Sequence, residues 1–159
     1  MPETEAALLF RLSALNTAYA SAIDGDRLES WPDFFVDDCL YKVTTAANHA
    51  ENLSAGIIYA DSRGMLKDRI AALRKANIFE RQSYRHLIGM PSILGRGPSG
   101  ISCETPFFVA RIVRDGAMSL FATGRYLDLV REEAEGLRFV ERLAICDSSR
   151  IDTLLAIPL

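Results

Sequence analysis

Histidine, cysteine and tryptophan are scarce in this sequence of 159 residues, with two, three and one copies. The cysteines, Cys39, Cys103 and Cys146, are odd in number and widely spaced. No CxxC, CxH or CxxH occurs, so neither a disulfide framework nor a clustered Cys/His metal site is written locally. Each cysteine sits in apolar, strand-like sequence and is expected to be a buried, reduced thiol. Basic charge is not in excess either. Eighteen Lys and Arg stand against 21 Asp and Glu, a net charge of -3, which argues against nucleic acid as a partner, since that partner demands a concentrated basic footprint. No apolar run approaches the roughly 20 residues of a membrane helix, and the opening "MPETEAALLF" carries acids where a signal peptide carries positive charge. The expectation is a cytoplasmic protein with no membrane partner. Repeats, linkers and low-complexity segments are absent as well, and the length suits a single domain spanning residues 1–159.

What is present is unevenly arranged. Residues 1–61 hold ten acids and three bases, whereas residues 63–85 hold seven bases and two acids. The basic stretch is either the solvated face of a helix or a docking surface for something acidic. Leu8, Leu12, Leu15, Tyr19 and Ile23 recur at helical spacing with Gly25 just beyond, which predicts a first amphipathic helix. In "DGDRLESWPDFF", Asp26 is a candidate N-cap with Glu29 three residues on, opening a short helix from Leu28 to Trp31 that breaks at Pro32. "CLYKVTT" alternates and is rich in β-formers, so residues 39–45 are expected as a strand. A second long helix starts near Asp61 or Ser62, with Leu66, Ile70 and Leu73 as its core stripe and Lys67, Arg69, Arg74 and Lys75 as solvated charge. From residue 84 to 147 the texture becomes four strands separated by turns. Asp115-Gly116 marks a hairpin, and Pro106 and Gly124 mark bulges or bends. Helices up to residue 80, followed by an antiparallel meander over residues 84–147, predict an α+β fold in which a curled sheet wraps one long helix.

The residues "YADSRGMLKDRIAALRKANIFERQSYRHLIGM", with an acid-initiated helix, an "L..R...LR" spacing and a Ser-x-x-His pair opening a strand, resemble the small (β) subunit of aromatic-ring-hydroxylating dioxygenases. "DRLESWPDFFVDDCLYKV", "FATGRYLDLVR" and "LRFVERLAICDSSRIDTLLAIPL" are similar to the same family near both ends, so the resemblance covers almost the whole chain. It implies the cone-shaped, cystatin-like α+β fold shared with nuclear transport factor 2, scytalone dehydratase and ketosteroid isomerase. It also implies a non-catalytic, structural role in a Rieske oxygenase that dihydroxylates an aromatic compound.

That chemistry is specific about ligands. A Rieske 2Fe-2S cluster takes two cysteines and two histidines, and mononuclear non-heme iron takes two histidines and a carboxylate. With only His49 and His86, the chain is expected to carry no cofactor and no metal. The resemblance places both centres on a partner α subunit, in an assembly of three α and three β chains with the β chains trimeric. A ferredoxin, a reductase or both would deliver electrons.

The stretch "SYRH" at residues 83–86 is the densest cluster of chemistry. In one reading Ser83 and Arg85 tie a strand entrance to neighbouring groups and His86 fills a polar position at a subunit boundary. Arg63, Ser83, Arg85, His86 and Arg125 are then the interface candidates, although Arg125 could equally pair with an acid on a neighbouring strand. In the other, His86 works with Tyr41, Tyr126 or Asp24 as acid and base inside the cone of a stand-alone lyase or isomerase. Trp31, Phe34 and Phe35 are expected in the core, and Asp147 in a capping or turn role.

Overall fold

The computed structural model describes residues 1–52, 56–76, 82–150 and 157–159. Helix α1 (Glu5–Asp24) begins where the Thr4 hydroxyl accepts the Ala7 N–H at 3.2 Å and ends at Gly25. It buries Leu8, Leu12, Tyr19 and Ile23 as the helical spacing predicts, with Leu15 half-buried. By length and composition alone α1 could cross a membrane, which corrects the expectation that no segment reaches that size. Its buried stripe lies on the sheet instead, as in a core helix. A 3-10 helix (Leu28–Phe34) follows and contains Pro32 rather than ending there. The tighter helix accommodates the missing N–H. Asp26 is not its N-cap. Asp26 adopts a left-handed φ of 58°, and its carboxylate and that of Glu29 both accept from Arg74 on helix α3 (Arg63–Lys75). The Ser62 hydroxyl caps α3 by accepting the Met65 N–H, and Leu66, Ile70 and Leu73 form its buried stripe. A short helix α2 (Ala46–Ala50) lies between them.

Among the described residues seven strands form one sheet: β1 (Phe35–Thr45), β2 (Ile58–Ala60), β3 (Gln82–Ile88), β4 (Ser92–Gly97), β5 (Gly100–Val113), β6 (Met118–Glu133) and β7 (Gly136–Cys146). The spatial order is β2-β1-β7-β6-β5-β3, with β4 also paired to β5. Two features differ from the sequence expectation. The first strand of the meander is split, so β3 pairs with the second half of β5 and β4 with the first half. The sheet is also not wholly antiparallel, because β1 runs parallel to β7. That pairing joins the two ends of the sequence pattern and curls the sheet around α1.

Register decides where the bends lie. Pro106 pairs with Arg125 and Phe107 with Gly124 without interruption, while the shift in that ladder falls between Val109 and Ala110. Neither Pro106 nor Gly124 is therefore a bulge. A Cβ on Gly124 would stand 2.0 Å from the Ile145 carbonyl oxygen, so this glycine permits close approach of β6 to β7. Asp115-Gly116 does turn the β5–β6 hairpin, with Gly116 at φ 89° and the Asp115 carboxylate accepting the Ala117 N–H. One continuous hydrophobic cluster joins α1, α3 and the inner face of the sheet.

Candidate functional site

The centre of the cone is polar. Asp128 on β6 and Arg142 on β7 are cross-strand partners, and both side chains are fully buried. Arg142 Nε and Nη2 donate to the two Asp128 oxygens at 2.9 Å each, and Nη2 also reaches the Asn16 side-chain oxygen on α1. Asn16 in turn donates to the Thr105 hydroxyl at 3.5 Å. Three rings enclose the guanidinium, with Tyr126, Phe139 and Tyr19 centroids 3.7, 3.9 and 4.4 Å from its carbon. The ring faces attract the cation and offset part of the hydration it loses. Burial lifts the Asp128 carboxyl above its ordinary range, and the attraction of Arg142 offsets that rise only in part.

A second polar cluster involves the backbone of Leu159, itself 0% exposed. The Tyr19 and Tyr41 hydroxyls donate to the Leu159 backbone oxygen at 2.6 and 2.9 Å, and the Leu159 N–H donates to the Tyr41 oxygen at 3.0 Å. Burial raises the pKa of both phenols. Trp31, Phe35 and Tyr41 pack edge to face around this cluster, in the core position expected of Trp31 and Phe35.

His86 and Asp24 meet elsewhere, between β3 and the end of α1. His86 Nδ1 lies 2.6 Å from Asp24 Oδ1, and the His86 backbone N–H donates to Oδ2 at 2.8 Å. The His86 and Asp24 side chains are 0% and 5% exposed. Of the four residues of the acid-base alternative, the structure brings these two together and leaves the tyrosines apart. The Tyr41 hydroxyl is committed to Leu159, and the Tyr126 ring stacks on Phe107 at 4.4 Å with a hydroxyl that has no hydrogen-bond partner among the described residues. His86 Nε2 likewise is buried with no hydrogen-bond partner among the described residues.

The remaining candidates are distributed over the surface. Arg63 donates to the Phe35 carbonyl and pairs with Asp37 at 2.9 Å, tying α3 to the start of β1. Ser83 is exposed on β3, and Arg85 is largely exposed, with its guanidinium 3.9 Å from Asp24. Arg125 pairs with Glu104 on the neighbouring strand at 2.6 Å. Asp147 accepts from the Thr123 hydroxyl at 2.9 Å. Leu87, Phe108, Leu120 and Met118 expose large apolar side chains on β3, β5 and β6.

The residues that sequence reasoning missed are Asn16, Asp128 and Arg142. Their signal was available in the strand alternation, where Tyr126, Asp128 and Val130 share an inward face in "RYLDLVR". A charge at an inward position needs a counter-charge nearby.

Among the described residues none are grouped as an iron centre requires. The three cysteines are buried, free and dispersed, and burial pushes the thiols of Cys39, Cys103 and Cys146 up to about 11, 12 and 12. His86 is held by Asp24, His49 lies apart on α2, and among the described residues no three His, Cys, Asp or Glu cluster.

A curled sheet around a helix, with the buried Asp128–Arg142 pair at its centre and apolar side chains on part of its outside, is a fold of the cone-shaped α+β class. The family model for the ring hydroxylating beta subunit matches residues 18–153. The chain belongs to that family, the β subunits of aromatic-ring-hydroxylating dioxygenases, and an α subunit is its partner. It is 51% identical over 149 residues to the terephthalate 1,2-dioxygenase terminal oxygenase subunit beta 1 of Comamonas sp, covering 94% of this chain and 97% of that one. The anthranilate 1,2-dioxygenase small subunit of Burkholderia cepacia is 35% identical, with 94% and 93% covered. A crystal structure described as the β subunit of an aromatic-ring-hydroxylating dioxygenase from Novosphingobium aromaticivorans superposes with a TM-score of 0.90 at 39% identity, covering 99% of this chain and 100% of that one.

Proposed function

We propose that this chain is the scaffold subunit of an oxygenase that dihydroxylates an aromatic carboxylic acid, with terephthalate as the first candidate. The observation that carries the substrate class is the 51% identity, across nearly the full length of both chains, with a β subunit of a terephthalate dioxygenase. The anthranilate relative acts on an aromatic carboxylic acid as well.

In this reading three α and three β chains assemble, the Rieske cluster and the iron sit on the α chains, and a ferredoxin, a reductase or both feed them. The complex works in the cytoplasm, and residues 1–159 act as one domain. Ser83, Arg85, Arg63 and Arg125 are the interface candidates, while His86 braces β3 from within through Asp24. The exposed Leu87, Phe108, Leu120 and Met118 supply apolar surface for self-association. One layer of helices covers the inner face of the sheet only, so the outer face is where a trimer would close.

Co-expression with its α subunit, purification and native mass measurement test the assembly. The expected species holds equal numbers of both chains, with iron only on α, and converts terephthalate to a cis-dihydrodiol. A complex of this composition that leaves terephthalate untouched while oxidising an uncharged arene overturns the substrate class. A β chain that stays monomeric at micromolar concentration, alone and with α, overturns the assembly.

A further inference from the structure

Strand β3 is the last strand in the sheet order, and its pairing with β5 fixes which backbone groups face its free edge. Just past the strand, the Gly89 N–H donates to the Pro106 carbonyl of β5 at 2.9 Å. The His86 N–H points the other way and donates to Asp24 Oδ2 at 2.8 Å. Backbone direction alternates along an antiparallel strand, so the Ile88 N–H faces the free edge as that of His86 does. No strand among the described residues lies beyond it.

Between this edge and helix α1 runs a cleft of about 390 Å³, with Leu87 and Ile88 on the strand side and Thr17 and Ser21 on the helix side. Two guanidiniums line it as well, and neither has a carboxylate at hydrogen-bond distance. Arg27 donates to the Ser21 hydroxyl at 3.0 Å, folding back over Gly25, where a side chain would collide with it. The Arg85 side chain is 76% exposed, and its nearest approach to a carboxylate is 3.9 Å, to Asp24. Asp24 is already engaged, since one oxygen accepts the His86 backbone N–H and the other lies 2.6 Å from His86 Nδ1. Two cations against one carboxylate leave at least one positive charge unmatched. Carboxylates accept from guanidiniums and from backbone N–H groups, and such charge-assisted bonds are stronger than neutral ones. Leu87, 71% exposed, adds an apolar wall.

We propose that the cleft between α1 and β3 binds a small organic monocarboxylate. The carboxylate would sit between Arg27 and Arg85 with the Ile88 N–H as its backbone donor, and the apolar body of the ligand would lie against Leu87. The site is built by this chain alone, so it holds whether or not the oxygenase acts on terephthalate and however many subunits assemble.

Benzoate is the probe, with benzamide as an uncharged molecule of similar size. By titration calorimetry at low salt the full chain is expected to bind benzoate about tenfold or more tightly than benzamide. Arg27→Gln with Arg85→Gln should remove that advantage and leave benzamide unchanged. By nuclear magnetic resonance, benzoate should shift the Ile88 amide of the unaltered chain while the Gly95 amide on β4 stays in place. Equal affinity for the two probes, unchanged benzoate affinity in the folded double variant, or an unmoved Ile88 amide overturns the proposal. If the double variant fails to fold, the Ile88 amide of the unaltered chain decides. The same titration on the complex with the α subunit should still show benzoate binding, and its loss on assembly overturns the proposal by showing that the partner fills the cleft.

Discussion

Asp128 and Arg142 set the energetics of the cone at the scale of single residues. Each alone would be an uncompensated charge with no exposure to water, so removing one partner is costly although the pair itself adds little net stability. Asp128→Asn is expected to lower the unfolding free energy by about 3–5 kcal/mol, and Arg142→Met by a similar amount. The double variant Asp128→Leu/Arg142→Met, apolar on both sides, should recover most of the loss. Urea unfolding of the three variants checks this, and single variants within about 0.5 kcal/mol of the parent would contradict it. His86 is the second case. His86→Gln keeps a hydrogen-bonding group near Asp24 and should cost about 0.5–1.5 kcal/mol. His86→Leu leaves the carboxylate with the backbone donor and the distant Arg85, and should cost about 1.5–3 kcal/mol. Turnover per assembled complex should change little in either variant. A 100-fold loss of turnover in fully assembled complex is the result expected of a general base instead.

At the scale of elements, the close approach of β6 and β7 is the constraint with the least slack. Gly124 faces Cys146 in the ladder, and an added Cβ would meet the Ile145 carbonyl at 2.0 Å. The strands must part for Gly124→Ala to fit, and the expected cost is about 1–3 kcal/mol. Gly95 on the exposed edge strand β4 has nothing within 4 Å of its added Cβ, so Gly95→Ala should change stability by less than about 0.5 kcal/mol. Thermal melting of both variants gives the comparison. The same ladder shows why Gly124 could be noticed in the sequence and still be misassigned. A glycine inside a strand is equally consistent with a bulge and with close packing, and only the pairing register separates the two.

The whole molecule responds to pH through its buried phenols and thiols. Cys39, Cys103 and Cys146 are raised by burial to about 11, 12 and 12, and burial also lifts Tyr19, Tyr41 and Tyr126. In each case the unfolded chain ionises at lower pH than the folded one. The stability these groups contribute is thus complete below about pH 8.5, the unperturbed thiol value, and is lost as pH rises toward their folded values. Urea midpoints measured from pH 8 to pH 11 should fall steadily, and a thiol reagent at pH 8 should titrate no cysteine before unfolding and all three afterwards. A native protein that reacts at any cysteine at pH 8 would contradict the buried placement.

The one-dimensional pattern was sufficient for the two long helices, most of the strands and the family. The apolar stripe of α1, the Ser62 start of α3 and the Asp115-Gly116 hairpin follow from periodicity and local chemistry, which act between residues a few positions apart. The "YADSRGMLKDRIAALRKANIFERQSYRHLIGM" and "FATGRYLDLVR" segments also carried the family resemblance that the match over residues 18–153 bears out. Tertiary structure alone decided the parallel β1–β7 pairing, the division of one expected strand into β3 and β4, and the partner of His86. It alone brought Leu159 to Tyr19 and Tyr41, across sequence separations of 140 and 118 residues. Asp128 and Arg142 show the boundary most clearly. Each could be recognised as a charge on a strand from its neighbours, but whether that strand turned it inward, and onto a counter-charge 14 positions away, depended on a register that no local preference sets.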